Sequence, residues 1–308
     1  MQMQRLVLMA LLVVAALAGA AAHAQLTGHY PVGSEGLKGA TLPPPGLYLK
    51  NYLQYYNANV YRDSRGENNG WDLDLDVLAF APRLLWMTNQ EILGADYGMD
   101  VLLPLVYTDI AFNSVPTPGG DISIGDNMFC AGDLLVEPID LAWHAPRYDI
   151  GLAFGVWMPT GRYDPHRLAS PGKDFWTAMF TYGGTLYLDA ERTWHASALG
   201  RYEIHSCQDH NDARPGQDTL VEWGVGKTLA KVWDLGVVGY AQWQLTDDSG
   251  RDVTWDKDVH DRVAAVGPEV SYVIPPLKTI ISARCNFEFS AVDRPEGTNV
   301  VVTITKAF

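Results

Sequence analysis

Apolar and polar side chains alternate along this chain with a period of two residues, in runs too long for an ordinary globular strand. Residues 194–204 set Trp194, Ala196, Ala198, Gly200, Tyr202 and Ile204 against His195, Ser197, Leu199, Arg201 and Glu203. Residues 235–245 set Leu235, Val237, Gly239, Ala241, Trp243 and Leu245 against Gly236, Val238, Tyr240, Gln242 and Gln244. Residues 277–289 repeat the pattern, with Ile281, Ala283, Cys285, Phe287 and Phe289 against Lys278, Ser282, Arg284, Asn286 and Glu288. Successive strand side chains point to opposite faces, so each run has one oily and one wet face. A globular strand averages about five or six residues, whereas a tilted strand that crosses a bilayer takes about 9–11.

The stretch WDLDLDVLAFAP, residues 71–82, shows the pattern at its sharpest. Its alternation predicts Trp71, Leu73, Leu75 and Val77 against lipid, with Asp72, Asp74 and Asp76 in a watery lumen.

Reading such runs as strands yields about twelve, near 47–61, 71–87, 93–108, 128–144, 148–159, 175–189, 194–205, 219–229, 233–246, 262–274, 278–290 and 298–308. The connectors fall into two alternating sets. The longer, polar set is 62–70, 109–127, 160–174, 206–218, 247–261 and 291–297; the tight set is 88–92, 145–147, 190–193, 230–232 and 275–277. Long loops on one side, short turns on the other and an even strand count are the signature of bacterial outer-membrane barrels. The expected fold is all-β: an antiparallel up-and-down transmembrane barrel over 47–308. Trp71, Trp143, Trp157, Trp194, Tyr202, Trp223, Trp243 and Tyr272 fall where interfacial aromatics are wanted.

The head of the chain supports export. Arg5, the apolar Leu6–Leu17 and Ala22-His23-Ala24 read as a signal peptide, 1–24, cleaved after Ala24. No later apolar run has the length of a membrane helix. Residues 25–46, with Pro43-Pro44-Pro45, form an N-terminal periplasmic segment or plug. Asp and Glu number 36 against 22 Lys and Arg, a net charge of −14 that argues against nucleic-acid binding. Cys130, Cys207 and Cys285 are too few for a disulfide framework, and an odd count leaves at least one thiol unpaired within the chain.

The predicted lumen or solute path consists of Asp72, Asp74, Asp76, Asp96, Asp100, His195, Arg201, Glu203, Lys278, Arg284 and Glu288. Its excess of acid implies a bias toward cations. His205, Cys207 and His210, followed by Asp212, are the one cluster of close metal-ligand types, in a polar loop without a paired second motif. Asp247-Asp248-Ser249-Gly250-x-Asp252 lacks the bidentate Glu of a calcium loop. No metal or cofactor, and no catalytic residue, is expected from these motifs.

The terminal Phe308, closing the amphipathic run VVTITKAF, resembles the signal read by the outer-membrane barrel assembly machinery. Several longer segments, GHYPVGSEGLKGATLPPPGLYLKNY (28–52), GDLLVEPIDLAWH (132–144), VWMPTGRYDPHRLASPGKDFW (156–176), GVVGYAQWQLTDDSG (236–250), GPEVSY (267–272) and FSAVDRPEGTNVVVTITKAF (289–308), resemble the family described as "Putative MetA-pathway of phenol degradation". The resemblance implies an outer-membrane barrel of a Gram-negative cell that passes small organic compounds, aromatic ones among them, and is not an enzyme. Its partners would be the lipid bilayer, the solute and, during biogenesis, the assembly machinery. Two other classes fit parts of the pattern: a barrel-embedded lipid or ester hydrolase, and a soluble exported β-sandwich binding protein.

Overall fold

The computed structural model describes residues 27–115 and 120–308; the expected leader and its cleavage site lie outside them. Fourteen strand segments form one antiparallel sheet. They are β1 (Gly46–Arg62), β2 (Leu73–Ile92), β3 (Ala95–Leu102), β4 (Leu105–Val115), β5 (Ile122–Ala131), β6 (Leu134–His144) and β7 (Tyr148–Met158). After these come β8 (Thr177–Tyr187), β9 (Trp194–His205), β10 (Asp218–Leu229), β11 (Trp233–Gln244), β12 (Arg262–Ile274), β13 (Thr279–Val292) and β14 (Arg294–Ala307). The sheet closes because β1 pairs with β14 on one edge and with β2 on the other. Closure satisfies the backbone groups that an open edge would leave unpaired in lipid.

The long strand β2 pairs with β3 along Arg83–Ile92 and with β4 along Leu73–Phe80. β3 and β4 are therefore two halves of one stave, broken at Leu103-Pro104, where proline has no amide to give to the ladder. β5 and β6 are the halves of the next stave, broken at Gly132-Asp133. Counted as staves the barrel has twelve, as the alternation predicts. Among the described residues no helix is long and apolar enough to cross a membrane.

Three connectors differ from expectation. Residues 88–92 belong to β2, and the turn is Leu93-Gly94, both at positive φ (53° and 75°) as a two-residue hairpin demands. The expected long loop 109–127 is mostly strand, since β4 and β5 pair as far as Val115 and Ile122. The expected loop 291–297 contracts to the single residue Asp293, at φ 52°. In all three the polar residues belong to strands that continue beyond the apolar belt, and polarity alone marked them as loop.

The outer face carries the belt: Leu53, Leu78, Phe80, Leu84, Leu152, Phe180, Val237 and Phe287 are all exposed. Trp86, Tyr148, Trp194 and Trp233 ring it toward the tight-turn end, and Trp176 and Trp243 toward the loop end. Trp157 is instead 3% exposed inside the barrel.

The opening stretch is reversed. Leu73 and Leu75 are buried inside the barrel, clustered with Ala58, Phe112 and Val115, with Trp71 and Val77 packed against them. Asp72, Asp74 and Asp76 point outward, in the series that continues through Leu78 and Phe80; Tyr55, on the same outer face, donates its hydroxyl to Asp76. From Val77 on, both series of β2 are apolar except for Arg83 in the odd one, so alternation over the opening stretch shows that two faces exist without saying which meets lipid. The longer even series Leu78, Phe80, Leu84 and Trp86 decides it. The aspartates lie at the loop end of this outer series, beyond the apolar belt.

Candidate functional site

The lumen is occupied by the chain itself. Residues 27–45 run inside the barrel from the loop end, where Lys173 donates to the Thr27 and Gly28 carbonyls, to the tight-turn end, where Leu42 packs beside Leu85 and Met87. An irregular segment within a barrel has no neighbouring strand, so its buried amides and carbonyls need side-chain partners. The wall supplies them. Tyr30 N donates to Glu203 at 3.1 Å, Glu35 N to Glu222 at 3.0 Å, Leu37 N to Glu269 at 3.0 Å and Ala40 N to Ser197 at 3.3 Å. Asn299 donates to the Val32 carbonyl at 2.9 Å, and Arg284 to the carbonyls of Gly33 and Ser34. The Arg201 guanidinium stacks 3.7 Å above the Tyr30 ring and pairs with Glu222 at 2.5 Å. Acid on the lumen face thus has a structural use: carboxylates receive the amides of a segment that has no ladder.

Two chambers remain on either side of the segment. The upper, toward the loops, has a volume of about 310 Å³. Val77, Ala79 and Ala81 from β2, with Leu102, Val106, Leu135, Trp157 and Met179, give it a largely apolar wall; Gln54, Gln242 and Asn299 add neutral polar groups, and Asp133, Lys173, Glu288 and Arg294 reach its edges. The lower, toward the tight turns, is about 530 Å³ and mixes apolar groups with Asp140, Asp149, Asp234, Glu269 and Arg284. Glu35, Arg83, Glu137 and Arg201 line both chambers and so form the partition. Arg83 bridges Asp100 and Glu137, and Glu35 receives Lys50 at 2.5 Å and the Tyr52 hydroxyl at 2.5 Å.

At the loop end a relay fastens the segment. His29 Nε2 meets Asp133 at 2.9 Å, and His29 Nδ1 meets the Thr177 hydroxyl at 2.6 Å. The same hydroxyl meets His205 Nδ1 at 2.7 Å, and His205 Nε2 meets Asp218 at 3.1 Å. Trp157 stacks on His29 with ring centroids 5.6 Å apart.

The barrel wall has one irregular seam. β5 pairs with β4 alone, while β7 ends at Met158 opposite Leu134 of β6. Beside β5 the wall is completed by the loop 159–176. Arg162 N donates to Ala131 O at 3.0 Å, Ala169 N to Asp126 at 3.0 Å, and Arg167 pairs with Asp126 at 2.6 Å. Pro104, Gly132 and Pro171 at this seam also line the upper chamber.

The expected lumen residues divide. Asp100, His195, Arg201, Glu203, Arg284 and Glu288 point inward, and all but Glu288 are buried. Asp96 reaches the lower mouth, 3.8 Å from His144. Asp72, Asp74 and Asp76 are on the outer face. Lys278 is exposed in the turn after Pro275–Leu277, because its backbone takes a left-handed conformation that ends the 3₁₀ helix there. His205 is buried in the relay, Cys207 is exposed, and His210 bonds Asp174, so these three do not converge. All three cysteines are free thiols. Phe308 is exposed and donates its amide to Leu47 O at 3.0 Å.

Arg83, Glu137, Asp140, Glu222, Glu269 and His29 are lumen residues outside the expected set. Glu222 and Glu269 sit at inward positions of β10 and β12, and strict parity would have found them. Glu137 and Asp140 are three residues apart, which puts them on opposite faces of a regular strand. The register shift between Val136 and Ile139 turns both inward.

Among solved structures, the COG4313 outer membrane channel from Pseudomonas putida F1 has a TM-score of 0.69 at 14% identity, over 91% of this chain and 99% of that one. The translocator domain of the autotransporter NalP from Neisseria meningitidis has a TM-score of 0.50 at 12% identity, over 88% and 92%. At these identities the likeness is one of fold, an outer-membrane type of barrel. No curated protein sequence matches the chain. A family model matches residues 58–304, from within β1 to within β14. The chain therefore belongs to the family described as "Putative MetA-pathway of phenol degradation".

Proposed function

We propose that this barrel carries small apolar organic compounds, aromatic ones included, across the outer membrane without chemical change. The observation that carries the reading is the upper chamber of about 310 Å³, apolar over its β2 side, held above a charged partition and next to the seam beside β5. A hydrophilic pore needs a continuous wet path, and here residues 27–45 thread the lumen that such a path would use. A chamber walled by Val77, Ala79, Ala81 and Leu135 favours a solute that gives up little hydration on entering. The seam offers such a solute a way between lipid and chamber, since a loop rather than a strand ladder closes it. Family membership, with its link to phenol degradation, supports the same class of cargo, and the fold shared with the Pseudomonas channel supports a barrel that spans the outer membrane.

In this reading the leader 1–24 directs export, the tight turns and the chain end face the periplasm, Phe308 aids insertion by the assembly machinery, and residues 27–45 act as a plug. The test is uptake into proteoliposomes of toluene or phenol against a sugar of similar volume. Faster entry of the aromatic solutes than the sugar is expected. Equal entry of both, at a rate above empty liposomes, would show a general hydrophilic pore instead.

A further inference from the structure

We propose that Asp100, Glu137 and Asp140, where β3 meets β6 beside the lower chamber, form a calcium-binding site. One carboxylate oxygen from each of the three lies within 4.8 Å of the others. Calcium binds oxygen at about 2.3–2.6 Å, so oxygens on opposite sides of one ion stand about 4.8 Å apart. Asp140 is 0% exposed and neither of its oxygens has a hydrogen-bond partner; Asp100 Oδ1 has none either. Arg83 occupies the remaining sides, Asp100 Oδ2 and Glu137 Oε2. One guanidinium against three buried carboxylates leaves two negative charges, which at this spacing repel unless a cation or protons intervene.

The backbone is shaped for this cluster. The ladder between β3 and β6 shifts register between Gly98 and Asp100, and that between β6 and β7 shifts between Val136 and Ile139. Without the irregularity at Glu137-Pro138, Glu137 and Asp140 would face opposite sides of the wall. Opposite Asp140 on β7 stands Ala153, and beyond it on β8 Thr181, whose buried hydroxyl has no partner. Asp140, Ala153 and Thr181 all border the lower chamber, which has room for the water ligands that three carboxylates leave unfilled. All the ligands are oxygen, which selects a hard cation, and the irregular set suits calcium better than the strict octahedron of magnesium. Because Glu137 and Arg83 also form the partition between chambers, the ion would stiffen that partition whatever solute crosses it.

The test uses the full mature chain in detergent micelles, stripped with EDTA and titrated with calcium by calorimetry and equilibrium dialysis. One site per chain is expected. It should survive in the Asp72→Asn/Asp74→Asn/Asp76→Asn variant, whose changes are confined to outer-face acids, and should be lost in Asp140→Asn. Calcium should also raise the thermal midpoint of the wild type and of the outer-face variant by several degrees over EDTA. That second measurement decides the matter if Asp140→Asn does not fold. No stoichiometric binding to the wild type, or binding abolished by the outer-face changes, or no calcium-dependent shift in either protein, would overturn the site and leave shared protons as the means of neutralising the cluster.

Discussion

The amide of Gly132 donates to the carbonyl of Pro104 at 2.8 Å, and this bond marks the level at which two adjacent staves break. Pro104 interrupts β3 and β4; Gly132 interrupts β5 and β6. A Cβ on residue 132 would come 3.0 Å from Pro104 Cγ, so any larger residue there would press on the proline ring and need it to give by a few tenths of an ångström. Above this level β5 has a strand neighbour only in β4, and the seam begins.

Pro104→Ala restores an amide at the break and allows β3 to run on into β4. The expected outcome is a narrower seam: proteoliposome uptake of toluene slows several-fold, while single-channel ion conductance stays at the wild-type value. Unchanged toluene uptake would remove the seam from the transport path.

Arg284 holds the plug, bonding the Gly33 and Ser34 carbonyls and Thr303 while facing Glu269 at 3.5 Å. Arg284→Gln leaves a buried carboxylate without its cation, at a cost of about 3–5 kcal/mol. A lower thermal midpoint and larger, noisier conductance in planar bilayers are expected. Deleting residues 27–40 should raise conductance further, since those residues fill the lumen.

Ala79 leaves part of the upper chamber open. Ala79→Phe places a ring in that volume and should lower toluene uptake at least about tenfold, with an overpacking cost of only about 1–3 kcal/mol. Stopped-flow uptake beside a melting curve separates a blocked chamber from a damaged barrel.

On β2, Leu73→Ala should cost about 2–5 kcal/mol, because Leu73 is 2% exposed within an apolar cluster. Asp72→Asn/Asp74→Asn/Asp76→Asn should shift stability little and leave cation selectivity in bilayers unchanged, since these carboxylates stand outside the barrel. A loss of selectivity in the triple variant would return them to the ion path.

Thr177 joins His29 of the plug to His205 of the wall. Thr177→Val keeps the shape and removes the hydroxyl, stranding two ring nitrogens at about 1–3 kcal/mol each. Hydrogen exchange of the amides of residues 28–35 should quicken, and Thr177→Ser should restore protection. Equal exchange in all three proteins would make the relay irrelevant to plug retention.

Much of the architecture is local and so could be read from the chain. The two-residue alternation of Trp194–His205 and Trp233–Gln244 is set by backbone geometry, and each run matches its strand and its faces. The twelve staves and the split between tight turns and loops follow from the same pattern, apart from ends where polar strands continue past the belt. What alternation cannot supply is a sign where charges fall on both faces, and on β2, with Asp74 and Asp76 in one series and Arg83 in the other, the predicted faces came out reversed. Bulges leave only a faint mark in sequence: Pro138, which has no amide for a ladder, sits at the one that brings Glu137 and Asp140 to the same side. The lumen was decided only in three dimensions. Glu203, Glu222 and Glu269 lie far apart along the chain, and they acquire a common role because residues 30–37 pass between them and need acceptors for buried amides. Alternation is a property of neighbours in sequence; the plug, the partition and the two chambers arise from contacts between residues up to about 270 positions apart, which only closure of the barrel brings together.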